Sequence, residues 1–495
     1  MTVPLLALSL LVACRGTSGS DGDGDAVVDG PDTVDTSTVV DTTPTATVDT
    51  TPTGTTDSVP LDGWVAEAPL QALRERLAAE GWTLQEGVPR AVNLDDCCLF
   101  ESCHSRNPTA HYVMLDLPLA EGEAERVVDD AITYRTTADE AVVFVGRMPP
   151  PARYSSFRTY VHRRYSPTTG QPEPSYLNLG DSLNQVVLRH WGDSPTAPFG
   201  ATTVVISTAD AGIERTVRGF FEDAGFPADV LNTDWIPTAR VQFGLDETGD
   251  LLRMNLRVSK FDDPVAGEAW LEEPQGVVLR MRPPVPPTPE PIIEPTPRPA
   301  GGLTTELPLQ PAVDELREAV LERWGDYPIL DADASSNQPP HDEPCWPGCN
   351  RDSTYGGAPA LVMPLEDTID VIVFGVNHAA SGMVSYANAF VLGTSNEDPA
   401  AFVDTTMMPG SADDYLPGHP DVDKLYVWRF SRSCGSDPYC SEVVQGCPGL
   451  EADERPLLGW RTYLDPATGT HAELSHMIQD DAIFIYKGKV PESTP

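Results

Sequence analysis

The chain has 495 residues and carries 75 Asp and Glu against 32 Lys and Arg, a formal net charge of -43. An excess of one sign this large repels nucleic acid and anionic lipid, so neither is expected as an electrostatic partner. Hydrophobic residues still make up 40% of the chain, enough for more than one core of ordinary domain size.

The chain begins with an apolar run, Val3 to Ala13, that stops at Cys14. The run is too short to stay in a bilayer as a spanning helix and has the length of a signal-peptide core. Leu11-Val12-Ala13-Cys14 resembles the lipobox of bacterial lipoproteins, a resemblance confined to residues 1–14. It implies cleavage before Cys14, acylation of its thiol and freed amine, and the membrane as a partner through that lipid. No Lys or Arg precedes Cys14, a departure from the family that a start slightly upstream would explain. Residue 15 is Arg, whereas in that family Asp there favours inner-membrane retention. The resemblance therefore implies the outer membrane, with the body facing the periplasm or the exterior.

Residues 15–60 are mostly Ser, Gly, Asp, Thr and Pro, with almost no large apolar residues and with an octad repeated from Asp41 and from Asp49. Such a segment cannot bury enough surface to offset its ordering entropy and reads as a disordered, self-repelling tether. Asp21, Asp23, Asp25 and Asp29 alternate as calcium-loop ligands do, but no Glu closes the loop, and a solvated spacer is expected. Beyond Cys14, eight Cys remain: Cys97, Cys98, Cys103, Cys345, Cys349, Cys434, Cys440 and Cys447. In an exported chain, an even set in tight clusters reads as disulfides, each cluster closing mostly on itself. Export disfavours the alternative, zinc held by Cys97, Cys98, Cys103, His104 and His111. No metal or other cofactor is expected.

A Pro-rich stretch, the linker of 283–311, divides the rest into modules at 61–282 and 312–490. The modules carry matching segments in the same order. The segment from Cys103 to Pro118 parallels the one from Cys349 to Pro364, and residues 142–161 align without a gap on 371–390. That alignment places Gly146 on Gly375, Phe157 on Tyr386 and Tyr160 on Ala389. The strand from Thr202 parallels the one from Lys424, and the ends from Phe261 and from Tyr463 correspond. Each module opens with an amphipathic helix, at Leu70–Glu80 and Ala312–Trp324, and the first adds another from Asp210 to Ala224. The expected fold is mainly β (α+β): two related β-sandwich-like modules with peripheral helices, an internal duplication.

Gly180-Asp181-Ser182-Leu183 resembles the nucleophile block of GDSL-type esterases. The resemblance implies Ser182 as nucleophile, with Asn377 of Gly375-Val-Asn-His echoing an oxyanion residue and His378 or His476 left to act as base. The block sits among strands of a β-rich module, and no His has Asp three positions before it. His471, Glu473 and His476 lack the spacing that puts two imidazoles on one helical face. His378 is expected in a solvent-facing turn. Asp181 is expected in a turn and Asp210 as a helix cap. Tyr154, Phe157, Tyr160, Tyr165, Tyr426, Trp428 and Phe430 alternate as core residues do, a sugar-binding platform being the less favoured reading. The expected function is a non-enzymatic binding or structural role in the cell envelope, with an envelope glycan or protein as partner. An envelope hydrolase using Ser182 is the alternative.

Overall fold

A computed structural model describes residues 66–92, 107–127, 132–192, 196, 198–293, 298–299, 302, 304–332, 334–337, 350–358, 365, 368–394, 399–446 and 449–488. Cys14, the tether of 15–60 and all the cysteines except Cys434 and Cys440 lie outside them. The fold is β-rich α+β.

The first half runs α1 (Glu67–Ala79), β1 (Thr83–Val92), β2 (Ala110–Asp116), β3 (Ala141–Arg147), β4 (Ala152–Ser166), β5 (Gln171–Asn184), β6 (Thr202–Thr208), α2 (Ala211–Asp223), β7 (Leu231–Trp235), β8 (Leu251–Phe261), α3 (Pro264–Glu272) and β9 (Gly276–Arg282). The second runs α4 (Gln310–Trp324), β10 (Ile329–Asp331), β11 (Ser335–Asn337), β12 (Ser353–Ala358), β13 (Ile369–Val376), β14 (Tyr386–Gly393), β15 (Pro399–Asp404), β16 (Leu425–Ser431), β17 (Cys440–Glu442), β18 (Pro456–Tyr463) and β19 (Asp481–Tyr486).

Strand order repeats between the halves. An outer sheet is ordered β1-β9-β3-β6-β7 in the first half and β10-β19-β13-β16-β17 in the second. An inner sheet is ordered β5-β4-β8-β2-β1, and then β15-β14-β18-β12-β11. Each outer sheet ends in a parallel pair, β6 with β7 and β16 with β17, while the other pairings are antiparallel. The one difference lies in the opening strand. Thr83–Gly87 of β1 pair with β9 and Val88–Val92 pair with β2, so β1 joins both sheets of the first module into one. At this crossing a Cβ on Gly87 would lie 2.0 Å from the Asp116 carbonyl oxygen, so only glycine fits. The second module breaks the same strand into β10 and β11.

The two sheets of each module face one another across an apolar core. Val142, Phe144, Val205 and Val278 of the first outer sheet meet Val113, Phe157, Met254 and Leu256 of the inner one. Val373, Trp428 and Phe484 meet Ala389, Leu458 and Trp460 in the second. Helices cover the far side of each outer sheet: α1 buries Leu70, Leu73 and Leu77, and α4 buries Val313, Leu316 and Val320. Asp210 caps α2, accepting from the backbone N–H of Gly212 and Ile213 at 2.8 and 2.9 Å.

The inner sheets turn their outer faces toward each other, and a polar seam forms there. Asp352 accepts from Tyr154 Oη at 3.1 Å and from Asn184 Nδ2 at 2.9 Å. Tyr386 Oη donates to Thr109 Oγ1 at 2.6 Å, and Asn107 bonds both Tyr463 and Asn388. The Tyr154 and Tyr463 rings lie 4.4 Å apart, and Lys260 Nζ is 3.1 Å from Asp404. Burial and then the Asp352 charge push the Tyr154 hydroxyl well above its ordinary pKa, so it stays a donor.

The ungapped alignment holds through β3 and β13, then slips. Phe157 faces the sandwich core, whereas Tyr386 faces the seam. Arg257 stacks on Tyr112 and Arg461 on Tyr355, at 5.3 and 5.6 Å, and these pairs are matched in register. Lys260 and Leu464, each three residues further on, both have positive φ. In that frame Tyr154 opposite Ser259 takes the place of Tyr386 opposite Tyr463. The β13–β14 turn is longer than the β3–β4 turn, and strand parity punishes the shift by sending each side chain to the wrong face.

The described part of the Pro-rich stretch follows the first module. Ile292 N–H donates to the Ala209 carbonyl at 2.9 Å, and Arg298 reaches Asp181 and the Ser182 carbonyl at 3.0 and 2.7 Å.

Replacing Asp352 by Ala removes the acceptor shared by Tyr154 and Asn184, which keep Ser156 Oγ and the Gly469 carbonyl as partners, and should cost about 1–3 kcal/mol in urea denaturation. In a double-mutant cycle with Tyr154→Phe, additive losses would show that the seam does not couple the two residues.

Candidate functional site

The residues singled out from the sequence do not form one constellation. Ser182 lies in β5, an edge strand of the first inner sheet, not at the strand-to-helix turn that an esterase nucleophile occupies. Its side chain is buried, and Oγ has no hydrogen-bond partner. Asp181 lies in the strand rather than in a turn. Burial alone would raise its pKa, but the Arg298 guanidinium holds it below the usual carboxylate range.

Asn377 and His378 follow β13 in the second module. Asn377 fastens the turn, with Nδ2 donating to the Thr405 carbonyl and Oδ1 accepting from the Ala380 N–H, both at 3.3 Å. His378 is only 3% exposed, which corrects the expected solvent-facing position. Its Nδ1 is 2.8 Å from Glu306 Oε1 and its Nε2 is 3.1 Å from Asp480 Oδ2. Ser381 Oγ and the Ile478 N–H also bond Glu306, and Tyr426 Oη donates to Asp480 at 2.9 Å.

Burial favours the neutral imidazole, but Glu306 and Asp480 outweigh it and push the His378 pKa well above its ordinary value. Glu306 is held below its ordinary value because His378 and these hydrogen bonds outweigh its burial. A ring protonated on both nitrogens, each facing a carboxylate, has no lone pair to take a proton from a nucleophile. His476 is half-buried in a short turn, Leu474–His476, and meets Glu306 through its backbone carbonyl at 2.8 Å.

Beside this triad the second module has a cavity of about 110 Å³ that is partly open to solvent. Thr354, Thr462, Trp460, Met477, His378 and Asp480 are among the residues that line it. Thr354 and Thr462 stand directly opposite on β12 and β18, 3% and 5% exposed, and neither hydroxyl has a hydrogen-bond partner. The first module differs at this end, where His111 is exposed. His111 and Val258 are the opposed pair there, and Met148, Phe261 and Trp270 join the core. A wider hollow of about 380 Å³, lined by Pro108, Phe402, Met407 and Glu442, has no unmatched buried side-chain group among its lining residues.

Glu306, Asp480, Thr354 and Thr462 were not singled out from the sequence. Glu306 falls within the stretch read as linker, and the threonines become a pair only through the β12–β18 register. Cys434 and Cys440 form a disulfide across the loop between β16 and β17, where the first module has α2. The other cysteines fall outside the described residues, so their pairing, like lipidation of Cys14, is not placed by the fold. His471 is buried with Nδ1 3.0 Å from the Ala472 carbonyl, and among the described residues no group of His, Cys, Asp and Glu is arranged to hold a metal. Among them, too, no helix is long and apolar enough to cross a membrane.

The folded His378 pKa lies above its unfolded value of about 6.5, so its stabilisation is complete below that pH and is lost as pH rises through the folded value. Depressed Glu306 works in the opposite sense, its stabilisation present above about pH 4.5 and lost on acidification. Urea unfolding at pH 5.5 and 9 should show a smaller loss of stability at the higher pH in His378→Gln than in the wild type. Equal losses would mean that the triad does not carry the pH response.

No protein-family model matches this sequence, and no curated protein matches it. Among solved structures, the chain is similar to the VPA0106 protein from Vibrio parahaemolyticus, with a TM-score of 0.35 and 10% identity over 77% of this chain and 90% of that one.

Proposed function

We propose that the protein is a membrane-anchored extracytoplasmic lipoprotein, held by lipid on Cys14, with a non-enzymatic binding or structural role in the cell envelope. The observation that carries the non-enzymatic part is the state of the two best catalytic candidates. Ser182 Oγ is buried without a base, and His378 has both ring nitrogens committed to carboxylates. The Cys434–Cys440 disulfide supports an oxidising compartment, which suits export. The anchor itself rests on the lipobox-like segment that ends at Cys14. An envelope glycan or another envelope protein is the partner class that suits this location.

Two measurements test the proposal. Cells fed an alkyne-bearing palmitate should label the wild-type chain and leave Cys14→Ala unlabelled; label on both or on neither would remove the anchor. The purified chain should stay unlabelled by a fluorophosphonate probe. Labelling that disappears in Ser182→Ala would replace the binding role with a hydrolase.

A further inference from the structure

We propose that the Pro-rich strap at Pro283–Pro289 is a docking ligand for another protein, one that carries a groove lined by aromatic rings. This rests on the non-enzymatic binding role above and commits it to a protein partner rather than a glycan.

Proline fixes its own φ at about −65° and drives the residue before it away from helical conformations. In Pro286-Pro287-Thr288-Pro289-Glu290-Pro291 every residue is a proline or precedes one, so the sequence dictates an extended polyproline II strand. The chain bends at Pro284 and Val285 as it leaves β9, then continues to Glu290 outside any helix or sheet. Polyproline II turns once every three residues, so Val285 and Thr288 share one ridge and Pro286 and Pro289 the next. All four are exposed, Val285 at 72%, whereas Pro287 on the third ridge is half-buried. The outward ridges thus present Val285-Pro286 and Thr288-Pro289, two X-Pro pairs three residues apart. Aromatic-lined grooves take a Pro-rich segment of this spacing.

The strap is tied down at both ends. β9 holds its start. At the other end the Ala211 N–H donates to the Glu290 carbonyl and the Ile292 N–H to the Ala209 carbonyl, both at 2.9 Å. Asp210 Oδ2 accepts from the Glu290 N–H, and Arg215 pairs with the Glu290 carboxylate at 2.6 Å. The strap is therefore ordered before a partner arrives, which removes much of the entropic cost of binding. Among the described residues no backbone hydrogen bond engages Pro283 to Pro289, so their carbonyls remain acceptors for a partner.

A spacer does not account for these features. The two modules touch directly at the seam, so no stiff rod is needed to set their separation. Charge then selects the partner. In a chain of net charge -43, Pro283 to Pro289 carry no ionisable side chain. Such a window gives a basic patch nothing to pair with. It matches an aromatic groove, whose ring faces pack on proline rings and whose Tyr and Trp donors reach the carbonyls.

The test titrates fluorophore-tagged SH3 and WW domains, two modules with such grooves, with the full chain in detergent micelles, followed by anisotropy. High salt screens the net charge of the chain. At least one probe should bind saturably. Pro286→Ala/Pro289→Ala should weaken that binding about tenfold or more, because two buried rings are lost. If this variant does not fold, Val285→Asp replaces it, since a charge is disfavoured in an apolar groove. Binding of neither probe, or unchanged binding by a folded variant, would overturn the proposal. In the producing cell, a photoreactive benzoylphenylalanine in place of Thr288 should cross-link to an aromatic residue of a protein. That cross-link should vanish when Pro286→Ala/Pro289→Ala is added. A cross-link to glycan, or one that survives the loss of both prolines, would also overturn it. Neither arm touches the lipid or Ser182, so the palmitate and fluorophosphonate results decide the reading above separately.

Discussion

Asp352 is buried at the seam between the two modules, and the arrangement of the chain depends on what it holds. It is completely covered and takes hydrogen bonds from Tyr154 and Asn184, both of the other module. Its neighbours behave alike: Tyr386 donates to Thr109, and Asn107 bonds Tyr463 and Asn388, contacts that form only when the two inner sheets meet. Inside a low-dielectric interface such groups strengthen each other when matched and are costly when bare. The face each inner sheet turns away from its own core is thus neither apolar nor ready for water. Each module needs the other to cover it, so duplication yields a joined pair rather than two independent beads on a string.

Arg257 and Arg461 show how far the halves still mirror each other. Each lies over a tyrosine of its own inner sheet, and both act on Tyr112, whose hydroxyl would be raised by burial but is held below its ordinary pKa by these two guanidinium charges together with that of Arg253 and the Asn107 backbone. The far ends of the sandwiches have diverged. Trp270 and Phe261 close the first, while the second holds an imidazolium between two carboxylates beside a small polar hollow. Glu306 reaches that triad from the segment just before α4, so the close of the connecting stretch is part of the site's wall. Because each carboxylate faces a nitrogen of the same imidazole, the triad fixes the position of His378 at the edge of the cavity.

Much of the layering was legible along the chain. Apolar spacing marked α1, α2 and α4, Asp210 marked a cap, and Thr202–Ser207 and 425–430 marked equivalent strands, because periodicity and capping are local properties. Gly146 and Gly375 were also matched correctly, both being strand residues at the same end of β3 and β13. The match failed one turn later, where a longer β13–β14 connection puts Tyr386 with Tyr154 rather than with Phe157. The Gly-Asp-Ser-Leu block at 180–183 shows the same dependence on distant chain: it lies in an edge strand, with Asp181 held by Arg298, a residue more than a hundred positions away. The aromatic residues that alternate like a core also split, Phe157 going inside the sandwich and Tyr154 and Tyr160 to the seam.

By itself, the sequence settled that the chain is rich in strands, carries a repeated order of elements and opens each half with a one-faced helix. These follow from periods of two and 3.6 residues, which any short window displays. Tertiary structure decided the rest. Only strand register sets Thr354 opposite Thr462, only the folded turn places His378 between Glu306 and Asp480, and only the meeting of two sheets buries Asp352 among tyrosines. The physical reason is the same in each case: burial, charge pairing and unmatched hydroxyls arise between segments distant along the chain, and a side chain's meaning depends on which of its two faces the strand turns inward.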